Sequence, residues 1–183
     1  MSRLTKGASG TLQSAIEAAY EAGLIDNAVF AESLADRTRM WAFREQMSEV
    51  QSKEGASIKH DVSVPIVAVP ELIEAGVAAA ERLVPGIRPV PFGHMGDGNI
   101  HMNLQQPVGM DPAAFLARSH DIMDTVNEVV RDLGGSFSAE HGIGRLKTDM
   151  MEDWRGGAEL DVMQRIKGAI DPRGLMNPGK VLP

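Results

Sequence analysis

Two short segments of the chain combine histidines with glycines. Residues 93–101 read GHMGDGNIH, and residues 138–144 read SAEHGIG. Together they hold three of the five histidines of the chain. Glycine lets the backbone turn sharply, and imidazole both binds metal ions and moves protons near neutral pH. The combination indicates an active site that the rest of the chain must position.

The spacing of the side chains in these segments suits a metal ion. His94 and His101 are seven residues apart across a tight turn, so on the two arms of a hairpin they can face each other. Two imidazoles on one side begin a divalent transition-metal site, which takes a third ligand and keeps a position open for substrate. Glu140 is the best candidate for that ligand. His141 would then lie beside the metal as the base that removes a substrate proton.

Other interpretations of the glycine-rich turn fit less well. The spaced carboxylates and closing Glu of a calcium loop are missing around Asp97 and Asn99. Neither a Lys-Ser/Thr pair nor a dinucleotide fingerprint accompanies the glycines, which argues against a phosphate cradle. A single histidine is most often an ordinary surface or core residue, and we interpret His60 and His120 in this way.

Composition narrows the class of protein. The 183 residues are 43% apolar and 23% charged, as in soluble globular domains, and the net charge of −7 argues against nucleic-acid binding. The chain has no cysteine, so disulfides, thiolate metal sites and cysteine nucleophiles are excluded. A secretory leader pattern is absent, and no apolar run approaches the ~18 residues of a membrane span. We therefore expect a cytoplasmic protein.

Hydrophobic periodicity predicts the elements that position the two segments. Apolar residues at helical spacing predict helices over about 12–22, 28–53, 71–83, 111–133 and 160–170, with Leu34, Met40, Trp41 and Met47 buried in the second. Alternation predicts a strand over 58–64 with Lys59, Asp61 and Ser63 on one face, a hairpin with residues 96–99 at its tip, and a short strand over 136–139. This order favours an α+β fold: a ferredoxin-like antiparallel sheet with helices packed on it, incomplete in this chain, followed by a C-terminal helical segment.

The sequence resembles a known protein family. Residues 93–101 and 140–144 resemble the two signature motifs in the C-terminal domain of FAD-linked oxidases. These are the D-2-hydroxyacid dehydrogenases, which include D-lactate dehydrogenase, D-2-hydroxyglutarate dehydrogenase and the glycolate oxidase flavin subunit. Residues 41–45, 59–65 and 177–180 match further landmarks in the same order. The resemblance covers roughly residues 12–183.

The resemblance implies an activity and a set of site residues. The enzyme would oxidise a D-2-hydroxy acid to a 2-oxo acid with the help of FAD and a divalent metal ion. Zinc is the metal that we favour, with manganese or iron as alternatives. The implied metal ligands are His94, His101 and Glu140, and His141 is the implied catalytic base. The implied substrate-binding residues are Arg44, Ser48, Lys59 and Asn103, and those on the cofactor side are Glu140, Gly142, Asn177 and Lys180. The family often has threonine in place of Ser48, and serine keeps the hydroxyl.

The resemblance also implies partners. Because the family carries its FAD-binding domain upstream, residues 1–183 are expected to be the substrate- and metal-binding C-terminal domain without that part, inactive until an FAD-binding domain or subunit is supplied. Missing strands would leave an exposed edge or apolar face, which predicts self-association into a homo-oligomer. Two alternatives stay open: a stand-alone His/Glu metal-dependent hydrolase, and a non-catalytic remnant that acts as an assembly module.

Overall fold

The computed structural model describes the backbone of residues 3–183 and the side chains of residues 10–183, except that of Ser48. The described chain divides between Val50 and Gln51 into two compact units. The first contains α1 (Arg3–Glu21) and most of α2 (Leu34–Ser52). Thus α1 begins earlier, and α2 later, than the periodicity predicts.

The predicted burial of the apolar side chains of α2 is wrong for three of the four residues, and the fourth, Met47, is only half-buried. Leu34 is 80% exposed, Trp41 54% and Met40 37%. At 3.6 residues per turn, Leu34 and Trp41 lie about 120° around the helix from Met40 and Met47. The apolar side chains therefore do not form one stripe that a single contact could bury.

An antiparallel sheet forms the base of the second unit. Its strands are β1 (Ser57–Lys59), β2 (Val62–Ser63), β3 (Arg88–His94) and β4 (Asn99–Gln105). Lys59 pairs with Asn103 and Val62 with Ile100, so the register continues unchanged from β1 to β2 along one edge of β4. The two short strands are therefore one strand interrupted at residues 60–61. Along its other edge, β4 pairs with β3 over the full length of both.

The connections give the sheet a ferredoxin-like topology. The β1–β2 strand is followed by α3 (Val69–Leu83), β3, β4 and α5 (Ser119–Asp132), and Ser136 then forms a bridge to Ser63. Across the sheet the order is Ser136, β1–β2, β4, β3, which is the βαββαβ arrangement. The α+β prediction is confirmed. The strand predicted over 136–139 is reduced to this single bridge, so the last strand of the fold is nearly absent from the described sheet.

The two faces of the sheet have opposite characters. On one face Ile58, Val62, Ile100, Met102 and Leu104 are each at most 4% exposed. Helices α3 and α5 cover this face with an apolar core, to which α5 contributes a stripe four residues apart that comprises Ile122, Val126 and Val130. Side chains of a strand alternate between faces, so the opposite face carries the polar residues Lys59, Asp61, His101 and Asn103.

The C-terminal part adds short helices and a second small core. The helix predicted over 111–133 is two helices, α4 (Pro112–Leu116) and α5, and Asp111 caps the first by accepting a hydrogen bond from Ala114. Two helices follow, α6 (Met150–Arg155), which the periodicity does not predict, and α7 (Ala158–Ile170). Phe137, Met151 and Leu160 form the second core. Within residues 3–183, none of the helices is both long and apolar enough to cross a membrane.

The turn between β3 and β4 requires a glycine at position 98. Gly98 has a φ of +80°, and a Cβ placed there would lie 2.0 Å from the carbonyl oxygen of Val64. We expect Gly98→Ala to lower the free energy of unfolding by about 2 kcal/mol in urea denaturation. Gly96→Ala, in the same turn, is the control, because its Cβ would meet nothing within 4 Å. Equal losses for the two variants would contradict this account of the turn.

Candidate metal centre

The predicted hairpin is confirmed and places His101 in the middle of the polar face. The amide of Asp97 donates to the carbonyl of His94 at 3.1 Å within the turn. Asn99 begins β4 and pairs with His94, so it does not belong to the turn itself. His101 lies opposite Phe92, and the centroids of their rings are 5.1 Å apart. Phe92 therefore packs beside the imidazole and restricts where it can turn.

Four side chains converge next to His101. Asp61, His101, Glu140 and His141 each offer one ligand atom, and these atoms all lie within 4.8 Å of one another. The Nε2 atom of His101 is 2.8 Å from Oε1 of Glu140, and Nε2 of His141 is 3.9 Å from the same oxygen. Two imidazoles with carboxylates form the kind of donor set that binds zinc or a similar divalent ion.

Exposure of these side chains increases from the sheet outward. Asp61 is 7% exposed and the His101 side chain 14%, whereas Glu140 is 45% and His141 67% exposed. Asp61 and His101 therefore form a fixed floor on the sheet. Glu140 and His141 stand above it and are open to solvent.

Asp61 lies outside the two histidine segments, although the strand pattern of the sequence points to it. The alternation over 58–64 already places Asp61 on the same face as Lys59, and the strand register places it opposite His101. Burial raises the pKa of Asp61, but hydrogen bonds from the backbone amides of His141 and Glu140 and the charge of Lys147 outweigh burial, so the pKa lies below its usual range. Asp61 is therefore an anion at neutral pH.

His94, the other predicted ligand, is not a member of this cluster. It is exposed at the end of β3, and its pairing with Asn99 puts it on the same face as His101 in the diagonal position. Diagonal neighbours in an antiparallel pair are about 7–8 Å apart, which a long side chain can bridge. Of the four residues predicted for metal and proton transfer, the structure thus brings together His101, Glu140 and His141.

The residues predicted to bind the substrate lie in both units. Lys59 and Asn103 are paired in the second unit on the same face as His101, Lys59 exposed and Asn103 4% exposed. The side-chain amide of Asn103 donates a hydrogen bond to Oε1 of Gln51 at 2.8 Å. The sequence does not predict this contact. Arg44 is half-buried on α2 in the first unit. The side chain of Ser48, on the same helix, lies outside the described residues.

The residues predicted on the cofactor side lie in two segments, the second histidine segment and the C-terminal turn after α7. Asn177 and Lys180 follow α7 and are exposed, and Gly142 is exposed with a φ of +71°. The amide of Val181 donates to the carbonyl of Gly144 at 2.8 Å and ties the tail to that segment. A cavity of about 530 Å³ lies here, and its lining includes Gly144, Met163, Ile166, Ile170, Asn177 and Lys180.

A buried carboxylate shapes this turn. Asp171 accepts hydrogen bonds from the backbone amides of Leu175 at 2.9 Å and Met176 at 2.8 Å, and it also pairs with the ammonium group of Lys167. The hydrogen bond from Lys167, followed by that from Met176, lowers the pKa of Asp171 to about 2. Asp171 thus stays ionised at any pH where the protein is handled and keeps the turn attached to α7.

Comparison with known proteins decides the family. The sequence model for the C-terminal domain of FAD-linked oxidases matches residues 5–181. The chain belongs to this family. Membership confirms the resemblance carried by the two histidine segments.

The chain is also similar to curated relatives. It is 36% identical over 165 residues to the D-2-hydroxyglutarate dehydrogenase of Stutzerimonas stutzeri, a match that covers 90% of this chain and 35% of the relative. The relative of the same name in Xanthomonas citri is 34% identical, with 91% of this chain and 35% of the relative covered. The mitochondrial D-2-hydroxyglutarate dehydrogenase of Rattus norvegicus is 29% identical, with 94% and 31% covered. The chain thus spans about a third of the length of these relatives.

Proposed function

We propose that the chain is the substrate- and metal-binding part of an FAD-dependent dehydrogenase that oxidises a D-2-hydroxy acid to a 2-oxo acid. The observation that carries the proposal is the convergence of His101, Glu140 and His141 on one face of the sheet in an FAD-linked oxidase domain. D-2-Hydroxyglutarate is the substrate that we infer, because the relatives in S. stutzeri and X. citri bear that name.

The residues present fit a metal ion. His101 and Glu140 already lie 2.8 Å apart, and we propose His94 as the third ligand, brought in by rotation of its exposed side chain from the diagonal position. Zinc is the ion that we favour for this donor set. When bound, the metal lowers the pKa of a coordinated hydroxyl, and FAD accepts a hydride.

The chain's own side chains then bind the substrate and move its proton. His141 is 67% exposed beside Glu140 and takes the proton of the substrate hydroxyl as general base. Loss of that proton lets the substrate carbon release its hydride, which leaves a 2-oxo acid. Lys59, Arg44 and Ser48 bind the substrate carboxylate, the guanidinium through its planar fork. Asn103, whose amide is fixed by Gln51, orients the substrate next to the site.

A second group of residues would hold the flavin on its side of the site. We propose that Asn177 and Lys180 of the C-terminal turn, together with Glu140 and Gly142, lie on the cofactor side. Support comes from the bond between Val181 and Gly144, which joins the turn to the second histidine segment. The FAD-binding part is a separate domain or subunit. The predicted compartment is the cytoplasm, whereas the rat relative is named mitochondrial.

Metal analysis followed by reconstitution tests the proposal. The purified 183-residue chain, dialysed against trace Zn²⁺, is expected to hold about one equivalent of metal. Adding an FAD-binding domain and D-2-hydroxyglutarate is then expected to reduce a dye acceptor. Hydrolysis of a model ester by the chain alone would favour the hydrolase alternative instead. A chain that binds no metal above the titration range of histidine would refute the dehydrogenase proposal and leave the assembly module.

A further inference from the structure

One buried carboxylate holds the loop that carries Glu140 and His141. The Oδ2 atom of Asp61 accepts hydrogen bonds from the backbone amides of Ala139 at 3.1 Å, Glu140 at 3.1 Å and His141 at 2.9 Å. Three successive N–H groups aimed at one point form a concave anion site, and here the anion is a side chain of the same protein. Because Asp61 is only 7% exposed, water competes weakly for these donors.

This contact sets the geometry of the metal centre. The strand register puts Asp61 opposite His101, so the loop attached to Asp61 is brought next to that imidazole. A second bond, from the amide of Ala139 to the carbonyl of Asp61 at 3.2 Å, fixes the start of the loop. Glu140 and His141 have exposed side chains and no other described contact as extensive as this one to hold their backbone. Their approach to His101 therefore depends on Asp61.

We propose that Asp61 is a positioning residue of the metal centre, which orients Glu140 and His141 toward His101 through their backbone amides and is not itself a ligand. The inference rests on the proposed function. Oδ2 already accepts hydrogen bonds from three N–H groups of the loop, so this oxygen is engaged by the backbone that carries Glu140 and His141. The other oxygen, Oδ1, lies 3.3 Å from the amide of Glu140, on the loop side as well.

Asp61→Asn in the 183-residue chain tests the inference, with zinc affinity measured by competition against a chromogenic chelator. Loss of an outer partner of metal ligands lowers affinity by about 10–100-fold, and we expect a loss in that range. The stoichiometry and the absorption spectrum of the Co²⁺-saturated chain are expected to stay those of the wild type, because the ligands are unchanged. Hydrogen exchange at the amides of residues 139–141 is expected to become faster in the metal-free chain.

Asp171→Asn is the matched control. Asp171 is 8% exposed and also accepts hydrogen bonds from two neighbouring backbone amides, those of Leu175 and Met176, but in another loop. Asp171→Asn weakens hydrogen bonds between a carboxylate and backbone amides, as Asp61→Asn does. It is nevertheless expected to leave the zinc affinity within about twofold of the wild type. If Asp61→Asn does not fold, Asp61→Glu keeps the charge on a longer side chain and is expected to give a smaller loss of affinity with the same Co²⁺ spectrum.

The outcomes separate the inference from the proposed function. A wild-type chain that binds zinc and an Asp61→Asn chain that binds it equally well would overturn the positioning role alone. A changed Co²⁺ spectrum at saturation would overturn it too, by showing that Asp61 is a ligand. A wild-type chain without zinc would instead overturn the proposed function and, with it, the inference that depends on it.

Discussion

Exchanging His141 for alanine is expected to reduce turnover by about 10²–10⁴-fold and to leave the metal content of the chain unchanged. The reason is the place of His141 in the cluster. Its Nε2 atom is 3.9 Å from Oε1 of Glu140, against 2.8 Å for Nε2 of His101, and its side chain is 67% exposed to solvent. The role that we propose for His141 is therefore to take a proton and not to hold the ion. Turnover is measured as dye reduction with D-2-hydroxyglutarate after an FAD-binding domain is added.

His101→Ala provides the contrast that makes this test decisive. His101 is half-buried, packed against Phe92 and in direct contact with Glu140, so its loss is expected to remove metal and turnover together. The effect on affinity should exceed the roughly 10–100-fold that an outer partner contributes. His120→Ala, at a side chain 83% exposed on α5, should change neither quantity. If His141→Ala lost metal as completely as His101→Ala, His141 would be a ligand and its assignment as the base would be wrong.

Acidification from pH 7 to pH 4 is expected to cost about 3 kcal/mol of folding free energy through His60 alone. His60 is 4% exposed, its Nδ1 lies 2.8 Å from the carbonyl oxygen of Met102, and burial lowers its pKa to about 4. The unfolded chain binds a proton at this residue near pH 6.5, and the folded chain does so only near pH 4. The stabilisation is therefore complete above pH 6.5 and decreases as the pH falls through that window.

Urea denaturation at several pH values between 7 and 4 measures this contribution. Other groups titrate in the same range, so the informative quantity is the difference between the wild type and His60→Asn, which retains a donor near the position of Nδ1. The variant is expected to be less stable at pH 7 and to lose less stability on acidification. His120→Asn, at an exposed histidine, should follow the wild-type profile. Parallel profiles for the wild type and His60→Asn would show that His60 does not titrate as its burial requires.

Local sequence signals were sufficient wherever the structure follows from a short repeat or a turn. The period-two alternation over 58–64 predicted which side chains share a face, and the strand register confirmed Lys59 and Asp61 on the polar side. The glycines of residues 93–98 predicted the hairpin, because glycine readily adopts the positive φ of a tight turn, as Gly98 does. These features depend on neighbours in sequence, so the sequence predicts them without knowledge of the fold.

The predictions failed where the environment of a residue depends on contacts with segments that are remote in sequence. Burial was predicted for Leu34 and Trp41 from their type, although their spacing places them about 120° around α2 from Met40 and Met47, and both are exposed. The strand predicted over 136–139 is reduced to one bridge, between Ser136 and Ser63. Whether a segment pairs as a strand depends on its distance from the neighbouring strand, which its own residues do not encode. His94 lies diagonal to His101 because the strand opposite offers Asn99 as its direct partner, and its role as a metal ligand stays a proposal.

By itself, the sequence determined the chemistry available to this protein: two imidazoles on an antiparallel hairpin, a Glu-His pair followed by glycine, and no thiols. Only the tertiary structure decided how these groups meet. Asp61 binds the amides of residues 139–141 across 78 to 80 positions of chain, and no local pattern encodes that contact. Side-chain types follow from the sequence one residue at a time, whereas a metal centre needs distances between remote segments, which strand pairing and the packing of α3 and α5 on the sheet establish together.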